Sequence, residues 1–186
     1  MSNPWDPQPF PGRGDESEDE TFLGVGRVMT EWESIEFSLA RLYSTFVGAL
    51  DDNVALREYG EGRIFRDRMD ATKRAAERYF IQSPAQGVEG TFLDIEAHTR
   101  GFSERRNEVA HGMVFKISQI TAFTNRMGLA GKGDQYALIP PYHTLRNHDD
   151  NGFPKYAYTS VELRRLRDLL VVGGGYVSDF RLLLIG

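Results

Sequence analysis

Apolar residues recurring at intervals of three and four constrain this chain more than any other feature, because only a helix brings such positions onto one face. Between residues 21 and 50 the series is Val25, Val28, Met29, Trp32, Leu39, Tyr43 and Phe46, closed by the turn formers Asp51, Asp52 and Asn53. A second series, Phe65, Met69, Ala76, Tyr79 and Phe80, predicts a helix over residues 63–81 that stops before Pro84. A third, Phe92, Ile95, Phe102 and Val109, begins near Val88 and ends by Gly112. The last opens on a capping box, Thr159-Ser160-Val161-Glu162, and carries Leu163, Leu166, Leu169, Leu170, Tyr176, Val177, Phe180 and Leu184. Gly173, Gly174 and Gly175 interrupt it, each at a cost of roughly 1 kcal/mol relative to alanine. The expectation is therefore a break at that point or an unusually close neighbouring backbone.

Between the third and last helices the period changes. The runs MVFKISQI, QYALIPPYHTL and KYAYTS are rich in β-branched and aromatic residues and are separated by Gly128, Gly131, Gly133, Asn151 and Gly152. The fold class expected is mainly α, a four-helix bundle with a small β insert, strands or a hairpin, between helix 3 and helix 4. No internal repeat is visible. At 186 residues the chain suits one domain, assigned to residues 21–186. Residues 1–20, with Pro4, Pro7, Pro9, Pro11, Gly12, Gly14 and a run of acids, read as a disordered leader.

Charge separates leader from body. The leader holds Asp6, Asp15, Glu16, Glu18, Asp19 and Glu20 against Arg13, which accounts for the whole net charge of −5. The body is close to neutral, and most of its arginines fall in three groups, around Arg63–Arg78, Arg100–Arg106 and Arg164–Arg167. They read as solvated helix faces or as a local anion-binding groove. With no cysteine there is no disulfide or thiolate chemistry. No apolar run reaches the roughly 18 to 20 residues that span a bilayer, and the amino terminus lacks the pattern of a secretory signal. The expected setting is cytoplasmic, without membrane contact.

Two polar features fall where apolar residues belong. Glu36 lies four residues after Trp32 and three before Leu39, in the middle of the first helix's apolar stripe. A carboxylate there requires a cation or hydrogen-bond donor on a facing helix. Arg106 continues the third stripe between Phe102 and Val109, so an Arg106–Glu36 pair is expected. Asn107 and His111 are four apart and share one helix face. His111 before Gly112 also fits a plain helix end, where a histidine interacts well with the dipole. His98, His143 and His148 show no metal-ligand spacing with His111, and no phosphate loop, nucleophile elbow or paired-carboxylate signature occurs. No metal and no cofactor are expected.

The stretch Arg106-Asn107-Glu108-Val109-Ala110-His111 has the form R-N-x-x-x-H and resembles the signature of the HEPN superfamily of helical domains. Its placement at the end of the third helix, with Glu36 on the first, strengthens the likeness, which covers residues 21–186. The resemblance implies a metal-independent endoribonuclease that works as a homodimer with two motifs meeting in one cleft, in a toxin–antitoxin or phage-defence setting. It implies Arg106, Asn107 and His111 as catalytic residues: His111 to move a proton, Arg106 to hold the scissile phosphate, and Asn107 to orient either. Arg105 would add a phosphate contact, and Glu36 would orient Arg106 from behind. RNA is the implied substrate, since it carries the attacking 2′-hydroxyl. The alternative is a non-catalytic HEPN-like interaction or nucleotide-binding module that partners an antitoxin or a nucleotidyltransferase. A purely structural bundle with a polar helix end is the third reading.

Overall fold

The computed structural model describes residues 3–7 and 10–186, so Met1, Ser2, Gln8 and Pro9 of the leader lie outside the described residues. Six helices and one small sheet occur among those residues: α1 (Glu18–Phe46), α2 (Asp52–Gly60), α3 (Phe65–Gln82), α4 (Gln86–His111), β1 (Met113–Lys116), α5 (Thr121–Met127), β2 (Tyr136–Ile139) and α6 (Ser160–Ile185). Short 3-10 turns cover Ile117–Gln119 and Leu145–Asn147. The fold is mainly helical with a two-stranded antiparallel sheet between α4 and α6. The four periodic segments correspond to α1, α3, α4 and α6. The helix count is six because α2 and α5 are too short for a periodic stripe to announce them. In α2 the signal is local: Asp51 accepts from the Asn53 N–H at 2.9 Å and starts the helix.

The chain divides into two compact units, residues 1–30 with 104–169 and residues 31–103 with 170–186. The second is built on buried aromatic packing. Phe46 meets Phe92 edge-on at 5.1 Å, and Trp32 meets Phe65 at 5.1 Å. Glu36 is buried beside them, as its place in the stripe requires, but its cation is Arg68 of α3. Arg68 grips both carboxylate oxygens, Nε at 3.0 Å and Nη2 at 2.5 Å, and the Tyr59 hydroxyl donates to Oε2 at 2.8 Å. The expected pairing with Arg106 is thus replaced. Arg68 sits three after Phe65 and four before Thr72, on the inward face of α3, so a fork of donors already stands opposite Glu36.

The first unit holds the sheet and a core of Ile117, Phe123, Leu129, Ala137, Ile139 and Phe153. Pairing is antiparallel, Met113 with Ile139 and Lys116 with Tyr136. Single bridges add Asp15 opposite Tyr136 and Tyr158 opposite Leu138. Within the segment read as a leader, Phe10 and Asp15 make contacts with residues far along the chain. Phe10 packs against Phe123 and Phe153, at 5.8 and 5.2 Å between ring centroids. Asp15 is buried and accepts from Thr21 Oγ1, Ser160 N and Ser160 Oγ, each at 2.7 Å. Asp15, an acid of the segment read as a leader, holds the amino-terminal end of α6, where an anion is favoured.

Two predicted helix features take definite form. The box at α6 closes, with Thr159 N donating to Glu162 at 2.9 Å. The helix then runs unbroken through Gly173–Gly175. A Cβ at Gly173 or Gly175 would meet nothing within 4 Å, and one at Gly174 would meet only the Ile35 side chain at 3.4 Å. No close backbone accounts for the triplet. Gly112 is different: a Cβ there would meet Leu138 Cγ at 2.7 Å and Glu108 O at 2.9 Å. This close approach lets the chain pass from α4 to β1 in one residue.

Candidate active site

The last two turns of α4 carry the motif, and their side chains divide between support and exposure. Arg105 is only 9% exposed although charged. Its Nη2 lies 3.1 Å from Glu108 Oε1 and 3.5 Å from Glu104 Oε2, while Nε and Nη1 have no hydrogen-bond partner among the described residues. Glu108 accepts the Tyr158 hydroxyl on its other oxygen, and its backbone carbonyl accepts from the Tyr156 hydroxyl at 3.4 Å. The row Arg105–Glu108–Tyr158 thus ties α4 to the segment that leads into α6.

This row is electrostatically tense. Burial pushes the Glu108 carboxyl above the usual glutamate range, opposed by the Tyr158 hydrogen bond and the Arg105 charge, with Glu104 adding to the rise. Tyr158 is driven well up by burial first and the Glu108 carboxylate second, and Tyr156 is pushed up to about 12 by the same two causes. Both phenols remain donors at neutral pH.

Above the row lies a cleft of about 660 Å³. Arg105, Asn107 and His111 line it from α4, and His143 and Arg146 line it from the loop after β2. Asn107 and His111 are exposed, as are His143 and Arg146. Arg106 is half-buried and is not among the lining residues, and it reaches the site through Asn107, whose Oδ1 accepts from Arg106 Nη1 at 3.2 Å. The arginine of the pair that lines the cleft is therefore Arg105. Glu36 belongs to the other unit and is occupied by Arg68 and Tyr59.

The loop that brings His143 and Arg146 is fixed by its own bonds. Thr144 N donates to Pro141 O and Asn147 N to Thr144 O, both at 2.9 Å, and Lys155 Nζ donates to Arg146 O at 2.8 Å. Buried His148 holds it from behind: Nδ1 donates to Thr144 O at 3.1 Å, and the ring stacks on Tyr142 at 5.8 Å. Because a carbonyl only accepts, that bond places the His148 proton on Nδ1.

Sequence spacing does not reveal His143, which lies 32 positions beyond His111 with no periodic link. The sheet register supplies the link. Met113, two residues after His111, pairs with Ile139, so the loop starting at Pro140 emerges beside the end of α4. Glu108 was legible only as a spacer of the motif, although its i+3 relation to Arg105 is a helical-neighbour signal.

Comparison with protein-family models, with curated proteins and with solved structures finds no match for this chain. No helix is long and apolar enough to cross a membrane, and no group of three or more His, Cys, Asp or Glu is placed to hold a metal ion, among the described residues.

Proposed function

We propose that this cleft is the active site of a metal-independent endoribonuclease of the HEPN type. The observation that carries the reading is that Arg105, Asn107 and His111 share one cleft with a second histidine and a second arginine. Its volume lies within the range of small-ligand sites, roughly 300–1,000 Å³. Arg105 and Arg146 supply guanidinium groups, the donors suited to a phosphodiester and to the charge that develops on it. His111 moves the proton, Asn107 orients substrate or imidazole, and Arg106, hydrogen-bonded to Asn107, sets the position of that amide. In this reading the four long helices are the counterparts of the HEPN bundle helices, and a homodimer brings two such clefts together. A cytoplasmic toxin–antitoxin or phage-defence system is the setting that suits this activity.

The test is cleavage of a mixed-sequence RNA by the full chain in excess chelator, with 2′-deoxy RNA as control. Expected are cleavage of RNA alone, a 2′,3′-cyclic phosphate end, and a loss of on the order of 10²-fold or more in His111→Ala. No cleavage by folded protein, or cleavage that His111→Ala leaves intact, removes the reading. One observation favours a second reading: Arg105 already has Glu108 and Glu104 as partners. A cleft with its lining arginine so occupied suits a nucleotide-binding or interaction module that partners an antitoxin or nucleotidyltransferase. Mononucleotide binding measured by calorimetry, without turnover of RNA, is its signature.

A further inference from the structure

We infer that His143 is the second proton-transfer residue of the cleft, acting with His111 of the same chain, and that Arg146 is its phosphate contact. The inference rests on the ribonuclease reading and adds to it one definite point: both imidazoles come from one protomer.

Cleavage of RNA without metal requires two proton movements on opposite sides of phosphorus. One group takes the proton of the 2′-hydroxyl as that oxygen attacks phosphorus. Another gives a proton to the 5′-oxygen as the P–O5′ bond breaks. The products are a 2′,3′-cyclic phosphate and a 5′-hydroxyl, and the two imidazoles finish with their protonation states exchanged. A cleft with a single histidine needs a second proton-transfer group beside it. This cleft has two, one on a helix end and one on a separate loop.

The placement of His143 is built into the fold. Two consecutive prolines, Pro140 and Pro141, restrict the backbone that leaves β2. The Thr144–Pro141 and Asn147–Thr144 bonds then fold residues 141–147 into consecutive turns, with His148 buried beneath. A buried histidine whose Nδ1–H is spent on a loop carbonyl anchors that loop. The side chains on its outer face, His143 and Arg146, are exposed and line the cleft. Arg146 lies three residues after His143, and among the described residues no hydrogen bond or ion pair engages its guanidinium. A cation beside the imidazole on the same loop is the arrangement that holds a phosphate against a proton-transfer group.

The experiment measures RNA cleavage by full-length wild type, His111→Ala, His143→Ala, His143→Asn and Arg146→Ala, each checked for folding by thermal melting. His143→Ala and His143→Asn are expected to lose kcat by on the order of 10²-fold or more, with KM within about threefold. Arg146→Ala is expected to raise KM. His143 is exposed, so its variants should melt within a few degrees of wild type; if the alanine variant does not, the asparagine variant decides. Cleavage by both His143 variants within about threefold of wild type overturns the inference while leaving the ribonuclease reading intact. Mixing His111→Ala with His143→Ala protomers should restore nothing, because each cleft still lacks one imidazole. Recovery on mixing overturns the same-chain assignment. A folded wild type that cuts no RNA removes the underlying reading, an outcome distinct from the others.

Discussion

Arg68 and Glu36 form the buried ion pair on which α1, α2 and α3 converge, and the energetic consequence follows from its burial. Both carboxylate oxygens are engaged, and Arg68 also donates to Gly62 O at 2.9 Å. Removing one partner strands the other charge in a poorly hydrated site. Arg68→Met should therefore destabilise by about 3 kcal/mol, read from the shift in a urea unfolding midpoint; a change under about 1 kcal/mol would show that Glu36 relaxes to solvent or protonates. Glu108 has the opposite character, because its folded pKa is raised. A group so shifted contributes stability below its unfolded value and loses it as pH rises through the folded value. From the ordinary carboxylate range up to neutrality, wild type should lose melting temperature relative to Glu108→Gln. If wild type instead gains, the Arg105 and Tyr158 contacts outweigh burial.

At the scale of elements, α6 carries a departure from helix propensity that packing within its unit does not explain. Gly175 is exposed, and a Cβ there would meet nothing within 4 Å. Gly175→Ala should raise stability by about 1 kcal/mol, since alanine fits helical φ and ψ without clash and restricts the unfolded chain. Thermal melting checks it; a decrease would mean that something outside this chain sits against that surface. The α4-to-β1 junction shows the reverse situation. Gly112 is required by its approach to Leu138, and it fixes how His111 and Met113 follow one another. That junction, more than the helix itself, sets where the loop after β2 meets the motif.

For the whole molecule, Asp15 ties the described part of the amino-terminal segment to β2 and to the start of α6. Asp15 accepts three hydrogen bonds and its backbone exchanges two with Tyr136, at 2.8 Å each. Deleting residues 1–16 should lower the melting temperature markedly, whereas an autonomous tail would leave it unchanged. Asp15→Ala alone should account for about 2 kcal/mol of that loss.

Short stretches of sequence sufficed to place the long helices, the cap that opens α6, the burial of Glu36 and the cluster Arg105–His111 at the end of α4. These depend on local geometry: a 3.6-residue period and a four-residue cap are legible in any short window. Long-range packing sets which cation meets Glu36, that Arg105 and not Arg106 lines the cleft, that Asp15 is buried, and that His143 lines the same cleft as His111. Each of those depends on contacts between segments far apart in the chain. A strand register that pairs Met113 with Ile139 leaves no periodic trace along the sequence, yet it is what places a loop of two prolines, a histidine and an arginine beside the last turn of α4.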